Sequence, residues 1–314
     1  MKVLLLVNAS ASSVTARARV VIGKALSADH EVTVAETSRR GHATRLARGA
    51  AATGTEVVVV LGGDGTLNEA ANGLAGTDCA LAALPGGSTN VFARTIGLPN
   101  DPIEATGALL DALAAGSIRR VGLGSANGRY FTFHVGIGFD AAVVAQVEAR
   151  GRLKRYAGHA LFVYAAFATW FRHYDRSRPR FSVLHSDGTL VDDAYLAICC
   201  NTNPYTFLGN RPLDIAPDAD FDHALSTVTV RTMSFTGMLR VAGGALRGAR
   251  QLHRIGKVDY RPDESQLTIK GYGPVPYQVD GDYLGEVEEL ELRHEPDVLS
   301  LVLPLPTPTD ALDA

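Results

Sequence analysis

Val57-Val58-Val59-Val60-Leu61-Gly62-Gly63-Asp64-Gly65-Thr66-Leu67-Asn68-Glu69 is the stretch that decides the fold. A run of valines and a leucine marks a strand buried on both faces, the glycines mark a turn, and the residues beyond them open a helical segment. The same punctuation recurs where Ala80–Leu84 leads into Pro85-Gly86-Gly87-Ser88-Thr89-Asn90, with Gly86 lying 22 residues beyond Asp64. Toward the N-terminus, Val3–Val7 and Glu31–Ala35 read as two more strands, separated by Ala/Arg-rich helical segments at 13–27 and 41–52. Strands alternating with helices predict βαβ units and a parallel sheet, and ligands of such sheets bind at the carboxyl ends of the strands. Both glycine turns fall there.

Beyond residue 122 the pattern changes. Strand-like runs appear at 129–135, 180–185, 189–200, 226–232, 257–261, 266–270 and 275–280, most of them not joined by helices. That predicts antiparallel pairing and a sandwich. Helices are expected near 140–148, 153–172 and 234–249, and the Pro-rich tail at 304–308 is expected to be poorly ordered.

Composition narrows the class. The chain has 314 residues, 46% apolar and 20% charged, which fits a globular protein of two domains. A net charge of −3 provides no overall basic field for nucleic acid. Three cysteines make no disulfide framework, so a reducing cytoplasm is expected. Val3–Val7 is shorter than the ~7–15 residues of a secretory apolar core. The longest apolar stretch, Tyr156–Phe171, falls short of the ~20 residues that span a bilayer. The nine histidines show no zinc-ligand spacing.

Three segments carry chemistry. In Gly62-Gly63-Asp64-Gly65-Thr66 the glycines remove the Cβ atoms that would keep phosphate oxygens away from backbone N–H groups, and the helix start adds donors and a favourable dipole. Asp64 would repel phosphate unless Mg²⁺ lay near, since carboxylate and phosphate oxygens are its usual ligands. The bland alternative is a βα turn with Asp64 as a helix cap. The Gly86-Gly87-Ser88-Thr89-Asn90 turn would add a second wall to a phosphate cradle. Late in the chain, Gln278-Val279-Asp280-Gly281-Asp282 places two carboxylates across a glycine. That is usually a surface turn, yet phosphoryl transfer to an alcohol needs one carboxylate to accept the hydroxyl proton and another near the metal.

Together these segments resemble the diacylglycerol/sphingosine kinase family, especially its soluble bacterial members. Asn68-Glu69 directly after the Gly-Gly-Asp-Gly-Thr loop, the Pro-Gly-Gly-Ser-Thr-Asn turn and the late Asp-Gly-acid carry the resemblance. Gly41-His42-Ala43, Gly136-Ile137-Gly138-Phe139-Asp140-Ala141 and Ala216-Pro217-Asp218-Ala219 support it across nearly the whole chain. The resemblance implies an α/β nucleotide-binding domain over residues 1–122, to which 295–314 return, and a β-sandwich-like lipid-substrate domain over 123–294, with the active site in the cleft between them. It implies an ATP-dependent, Mg²⁺-dependent lipid kinase with diacylglycerol as the favoured acceptor. Asp280 would be the catalytic base. Asn8, Thr37, Gly62, Gly63, Asp64, Gly65, Thr66, Glu69, Gly86, Gly87, Ser88 and Asn90 would surround the nucleotide, and Asp64 and Asp282 would hold the metal. The implied partners are ATP and a lipid presented at a membrane surface, with no nucleic acid. The implied location is cytoplasmic or peripheral at the inner face of the membrane, and a homodimer is left open.

Three positions depart from the family pattern. Asn8-Ala9-Ser10 replaces an Asn-Pro…Gly turn, Val91 stands where many bacterial members carry an aspartate, and Asp222-His223-Ala224 replaces an Asp-Asp-Gly turn. A neutral imidazole is a poor Mg²⁺ ligand, so a structural metal site at the last turn is not expected. The competing readings are an NAD kinase, which shares the Gly-Gly-Asp-Gly-Thr loop, and a non-catalytic lipid- or nucleotide-binding protein on the same fold. Two segments bear on membranes: the aromatic-rich stretch around Tyr156–Phe171, flanked by Arg152, Lys154, Arg155 and Arg172, and the run holding Arg240, Arg247, Arg250 and Arg254. Each suits a membrane surface, or else a buried helix and a solvated helix face.

Overall fold

The computed structural model describes residues 1–149 and 164–306. The chain divides into two compact units: Met1–Val121 with the segment from Asp297 onward, and Gly122–Pro296.

In the first unit β1 (Lys2–Val7), β2 (Glu31–Glu36), β3 (Val57–Gly62) and β4 (Ala80–Pro85) lie parallel in the order β2-β1-β3-β4. Every residue of β3 and β4 is buried, as expected of strands covered on both faces. Their register pairs Leu61 with Leu84 and Gly62 with Pro85, so the two glycine turns leave the sheet side by side. The connecting helices are α1 (Ala16–Leu26), α2 (His42–Ala52), α3 (Asp64–Leu74), α4 (Val91–Thr95) and α5 (Pro102–Ala114). Local chemistry sets their starts. The Thr15 hydroxyl accepts from Ala18 N, and the Asp101 carboxylate accepts from Ile103 N and Glu104 N just ahead of Pro102. The end of the last strand, β16 (Asp282–Val302), lies parallel to β4, pairing Leu301 with Leu81.

The second unit is antiparallel. β7 (His134–Gly138), β10 (Leu196–Cys200), β13 (Leu225–Val230) and β14 (Val258–Glu264) run in the order β14-β13-β10-β7, and β7 pairs onward with β15 (Gln266–Val279). β15 uses its two halves differently. Leu267–Gly271 pair with β8 (Phe181–His185), Tyr277–Val279 pair with β7, and a register shift separates them. The run expected as one strand over 189–200 is two, β9 (Leu190–Ala194) and β10, which break at Tyr195. β9 pairs with β8 whereas β10 pairs with β7 and β13. The backbone of Tyr195 serves the junction: its N–H donates to Val230 O, and its carbonyl accepts from Phe139 N and the Tyr174 hydroxyl. Along β10, Ala197 and Cys199 enter one apolar core while Leu196, Ile198 and Cys200 enter another. That period of two puts the adjacent cysteines on opposite faces.

Helices cover the second of these cores: α6 (Phe139–Glu148), α7 (Phe235–Arg247) and α8 (Ala249–His253). Of the helix expected over 153–172, the part before Tyr164 lies outside the described residues. Residues 164–168 are helical and Thr169–His173 form a π-helical turn. Residues 307 and 308 of the Pro-rich tail also lie outside the described residues. Among the described residues no helix is long and apolar enough to cross a membrane.

Candidate active site

The carboxyl edge of the parallel sheet gathers most of the residues expected around a nucleotide. The glycines do more than admit phosphate. Gly86 N donates to Gly62 O at 2.8 Å, and a Cβ on Gly86 would sit 2.8 Å from both Gly62 Cα and Gly62 N. A Cβ on Gly87 would lie 2.8 Å from Gly63 Cα. The two turns therefore stack backbone on backbone, a contact that only glycine permits. Beside phosphate access, the loop-on-loop contact is a second reason for these glycines.

Asp64 ties the turns together. As the first residue of α3, it spans to the next turn, where its Oδ2 accepts from Val91 N and its Oδ1 from Phe92 N, both at 3.0 Å. It caps α4 rather than its own helix. Asn90, buried with a left-handed φ of 51°, closes the second turn. Its Oδ1 accepts from Gly87 N at 2.7 Å, and its Nδ2 donates to Gly87 O and Asn100 Oδ1. Asn8 Nδ2 donates to Thr66 Oγ1 at 2.9 Å, which joins the end of β1 to the first turn of α3. The Glu69 carboxylate accepts from Gly41 N at 2.7 Å and Ala43 N at 3.1 Å, fixing the start of α2. Thr37 leaves β2 with its N–H on Val7 O, and His42 Nδ1 accepts from Ser38 N in the same turn. Ser88 is exposed, and Gly63, Asp64, Gly65 and Thr66 are half-buried. Ser13 was not anticipated: its N–H and hydroxyl donate to the carbonyls of Gly86 and Gly87. Its only sequence signal was its place just ahead of the Thr15 cap.

The residue types suit Mg²⁺ arriving with phosphates. Asp64 is half-buried, and a carboxylate has about four acceptor sites, so it is a residue type that can serve a metal beside its bonds to Val91 and Phe92. Mg²⁺ commonly needs only one or two carboxylates beside substrate phosphates and water. Among the described residues no group of three or more His, Cys, Asp or Glu side chains is arranged to hold a metal. At the Asp222-His223-Ala224 turn, His223 Nδ1 instead pairs with Asp220 Oδ1 at 2.8 Å.

In the second unit Asp280 (φ 48°) and Gly281 (φ 80°) form the two-residue turn between β15 and β16. The Asp280 side chain points inward and is 4% exposed. Its Oδ2 accepts from Thr132 N and Thr132 Oγ1 at 2.7 Å, and its Oδ1 from Phe133 N and His134 N at 3.0 Å. Four donors match the ordinary capacity of a carboxylate. Burial pushes the Asp280 carboxyl above its usual range, and the donors of Thr132, Phe133 and His134 pull against that rise. Asp282, two residues on, is half-buried.

A buried polar chain supports this turn. Gln278 Oε1 accepts from Gly281 N, and Gln278 Nε2 donates to Asp140 Oδ2 at 2.9 Å. Asp140 Oδ1 accepts from the Tyr205 hydroxyl at 2.5 Å, and burial raises the Asp140 carboxyl. A Cβ on Gly136 would fall 1.7 Å from Asp140 Oδ2, which explains that glycine. His134 packs its ring against Phe133 and Tyr205, and burial pushes its pKa down to about 3. Its Nδ1 has no hydrogen-bond partner among the described residues. Thr132, Asp140, Tyr205 and Gln278 were not foreseen as a network. Asp140 and Gln278 lay inside quoted motifs, whereas nothing in the sequence marked Thr132.

Residues 2–145 match the diacylglycerol kinase catalytic domain. The chain resembles the diacylglycerol kinase-like lipid kinases. It is a phosphotransferase with an alcohol acceptor. The chain is 29% identical over 232 residues to a diacylglycerol kinase of Bacillus subtilis, covering 73% of this chain and 72% of that protein. It is also 29% identical over 294 residues to a "Probable lipid kinase YegS-like" of Pseudomonas aeruginosa, covering 92% and 90% of the two chains. In fold it resembles a diacylglycerol kinase crystal structure from Bacillus anthracis, with a TM-score of 0.68 at 20% identity over 98% of this chain and 97% of that one. A more distant likeness reaches an NAD kinase from Archaeoglobus fulgidus solved with ATP, with a TM-score of 0.55 at 12% identity over 97% and 94% of the chains. The expected α/β class, with a parallel-sheet unit and a strand-rich unit, agrees with both folds.

Proposed function

We propose that this protein moves the γ-phosphoryl group of ATP onto a lipid hydroxyl, with diacylglycerol as the acceptor. The observation that carries the nucleotide half is the pair of stacked glycine turns at the sheet's carboxyl edge, where the helix α3 N-terminus and half-buried backbone suit phosphate oxygens. A relative of similar fold was solved with ATP, and a relative at 29% identity is a diacylglycerol kinase. In this reading Gly62–Thr66 and Gly86–Ser88 receive the phosphates, Asn8 and Thr37 flank the nucleotide, and Glu69 and Asn90 hold the turns in shape. Asp64 and Asp282 are the proposed Mg²⁺ ligands, and the ion, when bound, neutralises charge on the transferring group.

Asp280 is the proposed proton acceptor for the lipid hydroxyl. With four donors on its carboxylate, one must turn away before it takes a proton, and the rotatable Thr132 hydroxyl is the easiest to move. Thr132→Val tests this role. Losing a donor to the charged form raises the Asp280 carboxyl further, so the acid limb of the kcat/KM profile moves to higher pH. A limb that stays put while only stability falls leaves Asp280 as a turn anchor.

The direct test of function incubates purified protein with γ-labelled ATP, Mg²⁺ and a panel of diacylglycerol, monoacylglycerol, sphingoid base and NAD. The expected product is labelled phosphatidate. Labelled NADP, or no lipid-dependent label at all, would contradict the proposal.

A further inference from the structure

The second unit carries an apolar surface that is exposed among the described residues. Along α7, Phe235, Leu239, Ala242 and Leu246 recur at i, i+4, i+7 and i+11, so they share one face, and all four are exposed. Phe235 and Leu239 are 51% and 54% exposed. The opposite side of the same helix buries Val241 in the apolar core and Gly244 against Leu252 and Ile255. The segment from Tyr164 to His173 continues the surface with Phe167 and Phe171, the latter 61% exposed. Trp170 joins the two pieces: it is half-buried in the core, and its ring lies 5.6 Å from Phe235 and 4.6 Å from Phe171. Monomeric proteins seldom leave so many large apolar side chains together in water.

Charge identifies what covers it. Residues 164–180 and 234–254 hold eight arginines (172, 176, 178, 180, 240, 247, 250 and 254) and a single acidic residue, Asp175, although the whole chain carries a net charge of −3. Asp175 is engaged by Ser177 and Arg180. The Arg176 guanidinium lies 3.8 Å over the Trp170 ring, a pairing that joins a cation to an aromatic rim. Apolar side chains that sink below a headgroup layer, flanked by arginines that stay in it, form an interfacial membrane anchor.

We propose that α7 and the Tyr164–His173 segment dock this protein onto a bilayer containing anionic lipid. The surface is independent of the reaction's residues, so docking is read without turnover and goes beyond the kinase reading.

The experiment is flotation of the full chain with vesicles of phosphatidylcholine alone or mixed with phosphatidylglycerol. Wild type is expected to float with the mixed vesicles and to be released by raised salt. Phe171→Ser, Phe235→Ser and Leu239→Ser together should weaken partition roughly tenfold or more, and Arg240→Gln with Arg247→Gln should weaken it roughly tenfold on anionic vesicles only. Val20→Ser with Val34→Ser, exposed apolar positions of the first unit, should change nothing. Turnover of a dispersed short-chain acceptor should be equal in all variants, which separates a docking failure from a failure of the kinase reading. Wild type that stays with the protein fraction, or surface variants that float as well as wild type, would overturn the proposal. So would a concentration-dependent dimer of wild type, seen by sedimentation and dissolved by the same serine substitutions, since the face would then join two copies of the chain.

Discussion

Asp64 and Asp280 do the same local task in different degrees. Each carboxylate reaches across to a turn distant in sequence and collects its backbone N–H groups. Asp64 accepts from Val91 N and Phe92 N and stays half-buried. Asp280 takes three N–H groups and a hydroxyl, and is 4% exposed. A half-buried carboxylate can be reached by a metal; a fully buried one serves the fold first. The pair shows why a motif aspartate cannot be given a role from its residue type alone.

The largest expected effect breaks the more committed partner. Asp280→Asn leaves donors facing an amide, so stability should fall by about 3 kcal/mol or more, with turnover near background. Denaturant midpoints measure it; an unchanged midpoint would mean the four bonds carry little. Gly86→Ala follows, since its Cβ meets the Gly62 backbone. Prying the two turns apart should cost about 1–3 kcal/mol and weaken ATP binding, as read by calorimetry. Asp64→Asn keeps one acceptor for the α4 cap and should cost only about 1 kcal/mol. A stability loss equal to that of Asp280→Asn would erase the distinction between the two sites.

A pH series sharpens the same contrast. His134 is held neutral by burial, its pKa pushed down to about 3 against ~6.5 in an unfolded chain. A group with a depressed folded pKa contributes stability that is present above the unfolded value and is lost as pH falls. The Thr132–His134 turn should therefore weaken from pH ~6.5 toward 3, by up to about 1.4 kcal/mol per pH unit. His134→Gln should flatten that slope, whereas Asp64→Asn should leave it alone.

How much of this was legible varied with the kind of signal. Val57–Gly62 and Ala80–Pro85 announced themselves because strands buried on both faces need uninterrupted apolar runs ended by turn residues. The first part of β16 did not, because the adjacent Glu288 and Glu289 break its alternation of acidic and apolar residues, whereas its end was expected to return to the first unit. The break at Tyr195 was invisible because it is made by backbone hydrogen bonds, and every residue carries those groups. The grip of Asp280 on Thr132 was hidden for the same reason, across 148 positions. The glycines were readable as necessary, but the neighbour that requires them was not.

The most direct measurement is the affinity of ATP with and without Mg²⁺, by calorimetry, for wild type and Asp64→Asn. If Asp64 both caps α4 and serves the metal, Mg²⁺ should tighten ATP binding to wild type by roughly tenfold or more, and that gain should vanish in the variant, which without Mg²⁺ binds ATP at least as well because a like charge is gone. An equal Mg²⁺ gain in both proteins would contradict the account and leave Asp64 a helix cap alone.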